Sequence, residues 1–301
     1  MRVGLVVLTL NAEKYLIKLF DSIDRQSYKV DRKLLIDSDS TDSTIELARK
    51  YNWEFILIKK SEFNHGDTRQ KGLEYFRDMD IVIFITQDII FAGEDTIFQL
   101  VESFTNNKIG AAYGRQIPHA NASAIAAQAR LFNYPERSKI KSYQDKDKLG
   151  IKTAFMSDSF AAYRVKALAS VGGFPHAIVS EDMYVAACLL KKGYIIAYVA
   201  EAKVYHSHDY TICQEFKRYF DIGVFQAHES WISEEFGKAE GEGIKLVVNQ
   251  IKYLYKHNLF LIPKAMGLNV VKLFGYKLGH CEKYLPNALK KILSGQSYYF
   301  K

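Results

Sequence analysis

Several carboxylates stand where a short apolar run gives way to polar residues, which is where the chemistry of a buried sheet is usually placed. The clearest is Asp88. It closes Thr86-Gln-Asp88 after the apolar run 81–85 and is followed at once by apolar residues 89–91. A carboxylate between apolar segments is costly unless it is paired or holds a cation. Carboxylate, phosphate and water oxygens together suit Mg2+ or Mn2+, so Asp88 is expected to ligate such an ion beside a diphosphate. Tyr205-His-Ser-His208 follows a late apolar stretch and offers imidazoles. Two histidines one residue apart point to opposite faces of an extended strand, so only one is expected to ligate.

Three further clusters share this placement. Thr9-Leu-Asn11 follows the run 3–8, and Asp37-Ser-Asp-Ser-Thr-Asp42 follows the run 33–36. Clustered acids and hydroxyls there suit a ribose or a base N–H. Helix capping by Ser40, Thr41 and Asp42 explains one or two of the six polar positions, not all. Phe63-Asn-His-Gly-Asp-Thr-Arg69 joins a glycine that allows close backbone approach to an arginine able to pair with phosphate; a loop with a solvated arginine is the plainer alternative. Ser180-Glu-Asp182 precedes a helical pattern over 183–190, so its carboxylates would sit at a positive helix terminus, as caps, as catalytic groups or as both. No GxGxxG or GxxxxGK[ST] occurs, which removes the usual dinucleotide and P-loop readings.

The elements that must hold these clusters alternate. Residues 3–8 form a continuous apolar run, and 13–23 show helical periodicity. Short strands follow at 33–36, 55–58 and 81–85, with helices between them. Ser43-Thr-Ile-Glu46 has the spacing of a capping box. Strand–helix alternation of this kind predicts right-handed βαβ units in a doubly wound sheet, whose ligands lie beyond the carboxyl ends of the strands. Residues 110–175 are mixed and include the polar stretch 135–148, expected to be a mobile loop. After a last strand at 203–205 the pattern is helical to the end.

Composition narrows the class. The chain is 301 residues long, with 48% hydrophobic and 25% charged residues, enough for a large α/β domain with an appendage. Three widely spaced cysteines without zinc spacing indicate reduced thiols in a reducing compartment. The first apolar run lacks a cleavage site and runs straight into Asn11, Glu13 and Lys14, so it reads as a strand rather than a signal peptide. No stretch is expected to reach the ~18–20 apolar residues of a membrane span. The net charge of +7 is concentrated: residues 244–301 hold ten lysines and one acid, Glu282. That tail alternates apolar groups with lysines, as an interfacial helix does on an anionic membrane. Packing of the same apolar faces on the catalytic body or on a second subunit is the alternative.

Taken in order, Thr9-Leu-Asn11, Asp37 to Asp42, Phe63-Asn-His-Gly, Thr86-Gln-Asp88, Ser180-Glu-Asp182 and His206-Ser-His208 resemble the layout of family 2 glycosyltransferases over about residues 1–230. Phe63 to Arg69, Thr86 to Asp88 and the run Phe216-Lys-Arg-Tyr-Phe-Asp-Ile-Gly223 are similar to the branch that uses dTDP-L-rhamnose in O-antigen or capsule assembly. The resemblance implies a GT-A fold: a Rossmann-like, mixed and mostly parallel sheet with helices on both faces, here with a C-terminal helical extension. It implies a nucleotide-binding half (1–110), an acceptor-binding half (111–230) and the basic extension (231–301). Thr9, Asn11, Asp37 and Asp39 would hold the nucleoside, with Asp37 nearest the base. Arg69 would meet the diphosphate or the neighbouring acids. Gln87 joins the donor contacts. Asp88 takes the place of the last residue of the family's DxD metal motif, and His206 approaches the same metal. Asp182 would be the general base, with Glu181 on the acceptor side or its loop. The departure is the reduction of DxD to Thr86-Gln-Asp88, which weakens the expected hold on Mg2+ or Mn2+.

The expected function is inverting transfer of a sugar, L-rhamnose above all, from dTDP-L-rhamnose to a hydroxyl of a lipid-linked saccharide in cell-surface polysaccharide synthesis. The expected location is the cytoplasm, peripheral on the inner face of the membrane, with a homodimer allowed and no nucleic acid partner. A UDP-sugar-dependent family 2 enzyme is the alternative. A nucleotidyltransferase would carry a glycine-rich basic loop after the first strand, which is absent. A non-catalytic nucleic-acid binder would leave the strand-end acids unexplained, and a lapsed sugar-nucleotide binder is the remaining rival.

Overall fold

The computed structural model describes residues 1–238 and 240–300. Its centre is one sheet whose strands are β1 (Val3–Thr9), β2 (Arg32–Asp37), β3 (Glu54–Leu57), β4 (Ile81–Thr86), β5 (Ile90–Phe91), β6 (Ile109–Ile117), β7 (Lys139–Lys141), β8 (Phe160–Arg164) and β9 (Ile195–Tyr205). The order across it is β3-β2-β1-β4-β8-β6-β9-β5, with β7 against β9. Strands β1 to β4, β6 and β9 share one direction, and β5, β7 and β8 run against it. The first half is therefore the expected βαβ sheet, and β8 inserts an antiparallel turn into it.

Register explains the continuous apolar runs. On β1, Val6 joins Leu34, Ile36, Val82 and Phe84 on one face, while Leu5 and Val7 join Leu35, Ile83 and Ile85 on the other. Both faces are covered by helices, so both sets are buried. The helices are α1 (Glu13–Asp24), α2 (Thr44–Lys50), α3 (His65–Tyr75), α4 (Thr96–Glu102), α5 (Ala124–Asn133), α6 (Lys146–Leu149), α7 (Val165–Ser170), α8 (Glu181–Lys191), α9 (Ile212–His228), α10 (Ser230–Phe236), α11 (Glu240–His257), α12 (Ile262–His280) and α13 (Asn287–Leu293).

Some expectations are corrected. Ser43 makes no side-chain cap on α2. Asp42 does so instead, accepting from Thr44 N at 3.0 Å, and it also accepts from Glu13 N at 3.1 Å. A carboxylate two residues before the helix outcompetes the serine and ties α1 to α2. The stretch 135–148 is not a loose loop: β7 pairs with β9, and a capped turn at Ser142 leads into α6. Buried Lys141 anchors it by donating to Lys152 O at 3.3 Å and to Phe155 O.

The helical tail packs on α9 through small residues. A Cβ on Gly279 would lie 2.1 Å from Phe220 O, and one on Gly223 would lie 2.2 Å from Tyr276 O. Only glycine permits that approach. Asp221 then accepts from Ser294 Oγ at 2.6 Å and Gly295 N at 3.0 Å, drawing the last residues back onto α9. The opposite face is apolar and open, with Phe260 86%, Val270 67% and Phe274 64% exposed. One stretch, Leu259–His280, has the length and mean hydropathy (1.2) to cross a bilayer, contrary to expectation. Its glycine face is nonetheless committed to α9.

Candidate active site

The carboxyl ends of β1, β2, β4, β6 and β9 lie along one edge of the sheet. Because β8 is antiparallel, the residues before its first position reach the same edge. A cavity of about 1350 Å³ opens there.

Asp88, His206 and His208 converge on it, with one donor atom from each lying within 4.8 Å of the others. His206 Nε2 is 3.4 Å from Asp88 Oδ1, and His208 Nε2 is 3.3 Å from Asp88 Oδ2 and 2.8 Å from His206 Nε2. Both histidines, not one alone, face this cluster. Strand β9 ends at Tyr205, so the alternation of faces stops before the histidines and both imidazoles turn inward.

The donor set fits a divalent cation. Gln116 Oε1 already accepts from Arg130 Nη1 at 2.6 Å, and His206 Nδ1 lies 2.8 Å from the same oxygen. A proton on Nδ1 leaves the Nε2 lone pair aimed at Asp88 and His208, the arrangement by which outer contacts orient metal-binding histidines. Burial, then the charges of His206, Arg130 and Arg218, lower the His208 pKa to about 4, against the pull of Asp88, so its imidazole is neutral and can donate. Burial disfavours ionised Asp88, but its contacts with His206, His208 and Thr86 outweigh it and hold the carboxyl below the usual range.

Across the cavity, Asp182 begins α8 beside Ser180, whose φ is +61°. Its Oδ2 accepts from Asp158 N at 3.1 Å and its Oδ1 from Met183 N at 2.7 Å. Burial and the neighbouring charges of Glu181 and Asp158 push its pKa well up, the direction that suits a general base. Ser157, next to Asp158, accepts from Gln116 Nε2 at 2.8 Å. One dipeptide thus joins the histidine cluster to Asp182.

Arg69 takes the second of its two expected roles. It is 4% exposed, with Nε 2.9 Å from Asp158 Oδ2 and Nη1 2.7 Å from Glu181 Oε1. Glu181 is likewise buried in this pair. The Asn64–Arg69 segment fastens the loop that leads to Asp182. Asn64 Oδ1 accepts from Gly66 N at 3.0 Å and Asp67 N at 3.1 Å, while its Nδ2 donates to Ala177 O at 2.9 Å. A Cβ on Gly66 would fall 1.7 Å from Pro175 O, so the glycine serves backbone contact with the loop before Ser180.

On the nucleotide side, Thr9, Leu10, Ser38, Gln87 and Asp88 line the cavity. Gln87 Oε1 accepts from Leu10 N at 2.9 Å, clamping the turn after β1 to the end of β4. Asp37 is 1% exposed, and its carboxylate accepts from Thr9 Oγ1 at 2.8 Å, Ser40 N at 2.8 Å and Ser40 Oγ at 2.6 Å. It therefore shapes the loop rather than facing the cavity. Asn11 Oδ1 accepts from Thr41 N at 2.9 Å, and Asn11 and Asp39, with φ of +48° and +69°, set the backbone of that loop.

Sequence reasoning missed Asp158, Gln116, Arg130 and the inward position of His208. Asp158 precedes an antiparallel strand, and Gln116 lies inside β6 rather than after it, so neither carries the strand-end signature used to find the others.

The family model for Glycosyl transferase family 2 matches residues 5–172. The chain is 44% identical over 282 residues to the O-antigen chain rhamnosyltransferase WbaN of Salmonella anatum, covering 93% of this chain and 90% of that one. It is 43% identical over 302 residues to the O-antigen chain rhamnosyltransferase RfbN of Salmonella typhimurium, covering 100% and 96%. Among solved structures it is similar to the mannosyltransferase PcManGT of Pyrobaculum calidifontis, in complex with GDP-Man and Mn2+, with a TM-score of 0.60, 15% identity and coverage of 99% and 84%. It is also similar to S. aureus TarS 1–349, with a TM-score of 0.55, 16% identity and coverage of 94% and 91%. Sequence and fold agree that the chain belongs to glycosyl transferase family 2.

Proposed function

We propose that this enzyme transfers L-rhamnose from dTDP-L-rhamnose, with inversion, to a hydroxyl of a lipid-linked saccharide during O-antigen assembly. The observation that carries the choice of sugar is the full-length identity to two O-antigen rhamnosyltransferases. The turns at Thr9–Leu10 and Ser38 receive the nucleoside, with Asn11, Asp37 and Asp39 holding the loop that faces it. Asp182 takes the proton of the acceptor hydroxyl, which attacks the anomeric carbon from the face opposite the diphosphate. Its raised pKa leaves it basic enough to do so, and general-base help is worth ~10²–10⁴ in rate. Asp88, His206 and His208 would hold Mg2+ or Mn2+, which when bound supplies positive charge to the leaving diphosphate. Gln116 orients His206, and Arg69 keeps Asp158 in place beneath Asp182.

The acceptor's lipid would lie against the tail. Exposed Phe260, Val270, Leu273 and Phe274 sit among lysines, and Leu246, Lys264 and Leu268 belong to the cavity wall. A basic, apolar face beside the cavity suits the cytoplasmic surface of an anionic membrane. Thermal-shift measurements with dTDP-, UDP- and GDP-sugars, with and without Mn2+, test the donor. Stabilisation by dTDP-rhamnose in Mn2+ is expected; preference for a UDP-sugar would overturn the rhamnosyl reading.

A further inference from the structure

With Arg69 committed to Asp158 and Glu181, the negative charge of a diphosphate must meet other cations. Two arginines on the cavity wall, Arg130 of α5 and Arg218 of α9, have no carboxylate within ion-pairing distance among the described residues. They flank the histidine cluster from opposite helices. Arg130 Nη1 donates to Gln116 Oε1 at 2.6 Å, the oxygen that also engages His206. Arg218 lies 5.9 Å over the Tyr210 ring, and that ring stacks on His208 at 4.9 Å.

The loop carrying the histidines is fixed to α5: Ser123 N donates to Asp209 Oδ2 at 3.2 Å, and Ser123 Oγ donates to Asp209 Oδ1. The arginine positions are therefore set by the same elements that set the cation site. Stacking does not account for Arg218, because 5.7 and 5.9 Å to Tyr219 and Tyr210 lie at the outer limit of ~6 Å for a cation–π contact, and the exposed side chain stands open to the cavity. Arginine pairs bidentately with phosphate oxygens, and such donors are strongest in a concave, partly dehydrated site.

We propose that Arg130 and Arg218 bind the diphosphate of the donor and stabilise it as it leaves. The proposal rests on the reading that this cavity takes a nucleoside diphosphate sugar. It gives a role to Arg218, which stands in the Phe216 to Gly223 run, and it assigns the diphosphate contact to residues other than Arg69.

The test is titration calorimetry in Mn2+ with inorganic pyrophosphate, dTDP and UDP, on wild type, Arg130→Ala, Arg218→Ala and Arg218→Lys. Each alanine variant should weaken both pyrophosphate and dTDP by about tenfold or more, as expected for loss of a charge-assisted hydrogen bond. Lysine at 218 should recover part of the loss, and melting temperatures should stay near wild type. Wild-type affinity for pyrophosphate and dTDP in both alanine variants overturns the proposal, as does a wild type that binds neither. Unchanged dTDP affinity with a raised KM for acceptor would overturn it too, by assigning the arginines to the acceptor. If wild type prefers UDP while the variants still lose pyrophosphate, the rhamnosyl reading fails and this proposal stands.

Discussion

Replacing Arg69 by methionine tests how the buried carboxylates beside Asp182 are held. The guanidinium side chain is 5% exposed, and its partners Asp158 and Glu181 are 3% and 5% exposed. Removing one member of a buried pair typically costs about 3–5 kcal/mol, because the other charge is stranded. Two carboxylates lose their partner here, but the loss is not doubled. Burial already raises the Asp158 pKa to about 7 despite Arg69, so near neutrality that group takes up a proton readily. Glu181 carries most of the penalty, and a deficit of about 3–5 kcal/mol is expected near pH 7.

The pH dependence has a definite sign. A carboxyl whose folded pKa is raised above the unfolded value of ~3.9 contributes fully below that value, and the contribution is lost as pH rises through the folded pKa. For Asp158 that window runs from about pH 4 up through about 7. Without Arg69, burial and the charge of Glu181 act on Asp158 opposed only by the hydrogen bond from Tyr163. Urea unfolding of Arg69→Met at several pH values, compared with wild type in the same salt, should show the smallest deficit in mild acid and the largest in mild alkali. A deficit below about 1 kcal/mol in alkali, the range of an exposed ion pair, or one that grows toward acid, would refute the assignment of Arg69 as counter-ion to this cluster.

Other outcomes follow from the same geometry. His208→Ala should weaken Mn2+ binding by about tenfold or more, seen by calorimetry without any sugar; unchanged affinity would remove His208 from the donor set. Gly279→Val should destabilise by more than about 2 kcal/mol, because its Cβ would stand 2.1 Å from Phe220 O and α12 would have to move off α9; an unchanged melting temperature would contradict that packing. Serine at Phe260, Leu273 and Phe274 together should abolish co-sedimentation with vesicles containing anionic lipid while leaving the melting temperature near wild type. Undiminished vesicle binding would move the membrane contact elsewhere.

Much of the site was legible because a parallel sheet delivers its ligands at strand ends. Asp88, Thr9, Asp37 and His206 all follow apolar runs that had to be buried strands, and all lie along one edge. The same logic failed where the chain reverses. Asp158 enters an antiparallel strand, so its approach to the edge leaves no periodic trace. The inward turn of His208 was not legible because two-residue alternation holds only inside a strand, and β9 ends three residues earlier. Arg69 shows a different limit: residue type identifies a phosphate-binding group, but its partner depends on which carboxylates tertiary packing brings within reach. Of the tail's two readings, packing on the body of the protein is met in part, since the glycines of α12 face α9, while its larger apolar residues face outward.

The most direct test compares wild type with Asp182→Asn, using dTDP-β-L-rhamnose and a saccharide acceptor, with the product linkage assigned by NMR. The account predicts an α-linked rhamnoside from wild type. It also predicts turnover lower by about 10²–10⁴ in Asp182→Asn, with dTDP-rhamnose affinity retained. A β-linked product, or near-wild-type turnover without the Asp182 carboxylate, would contradict it.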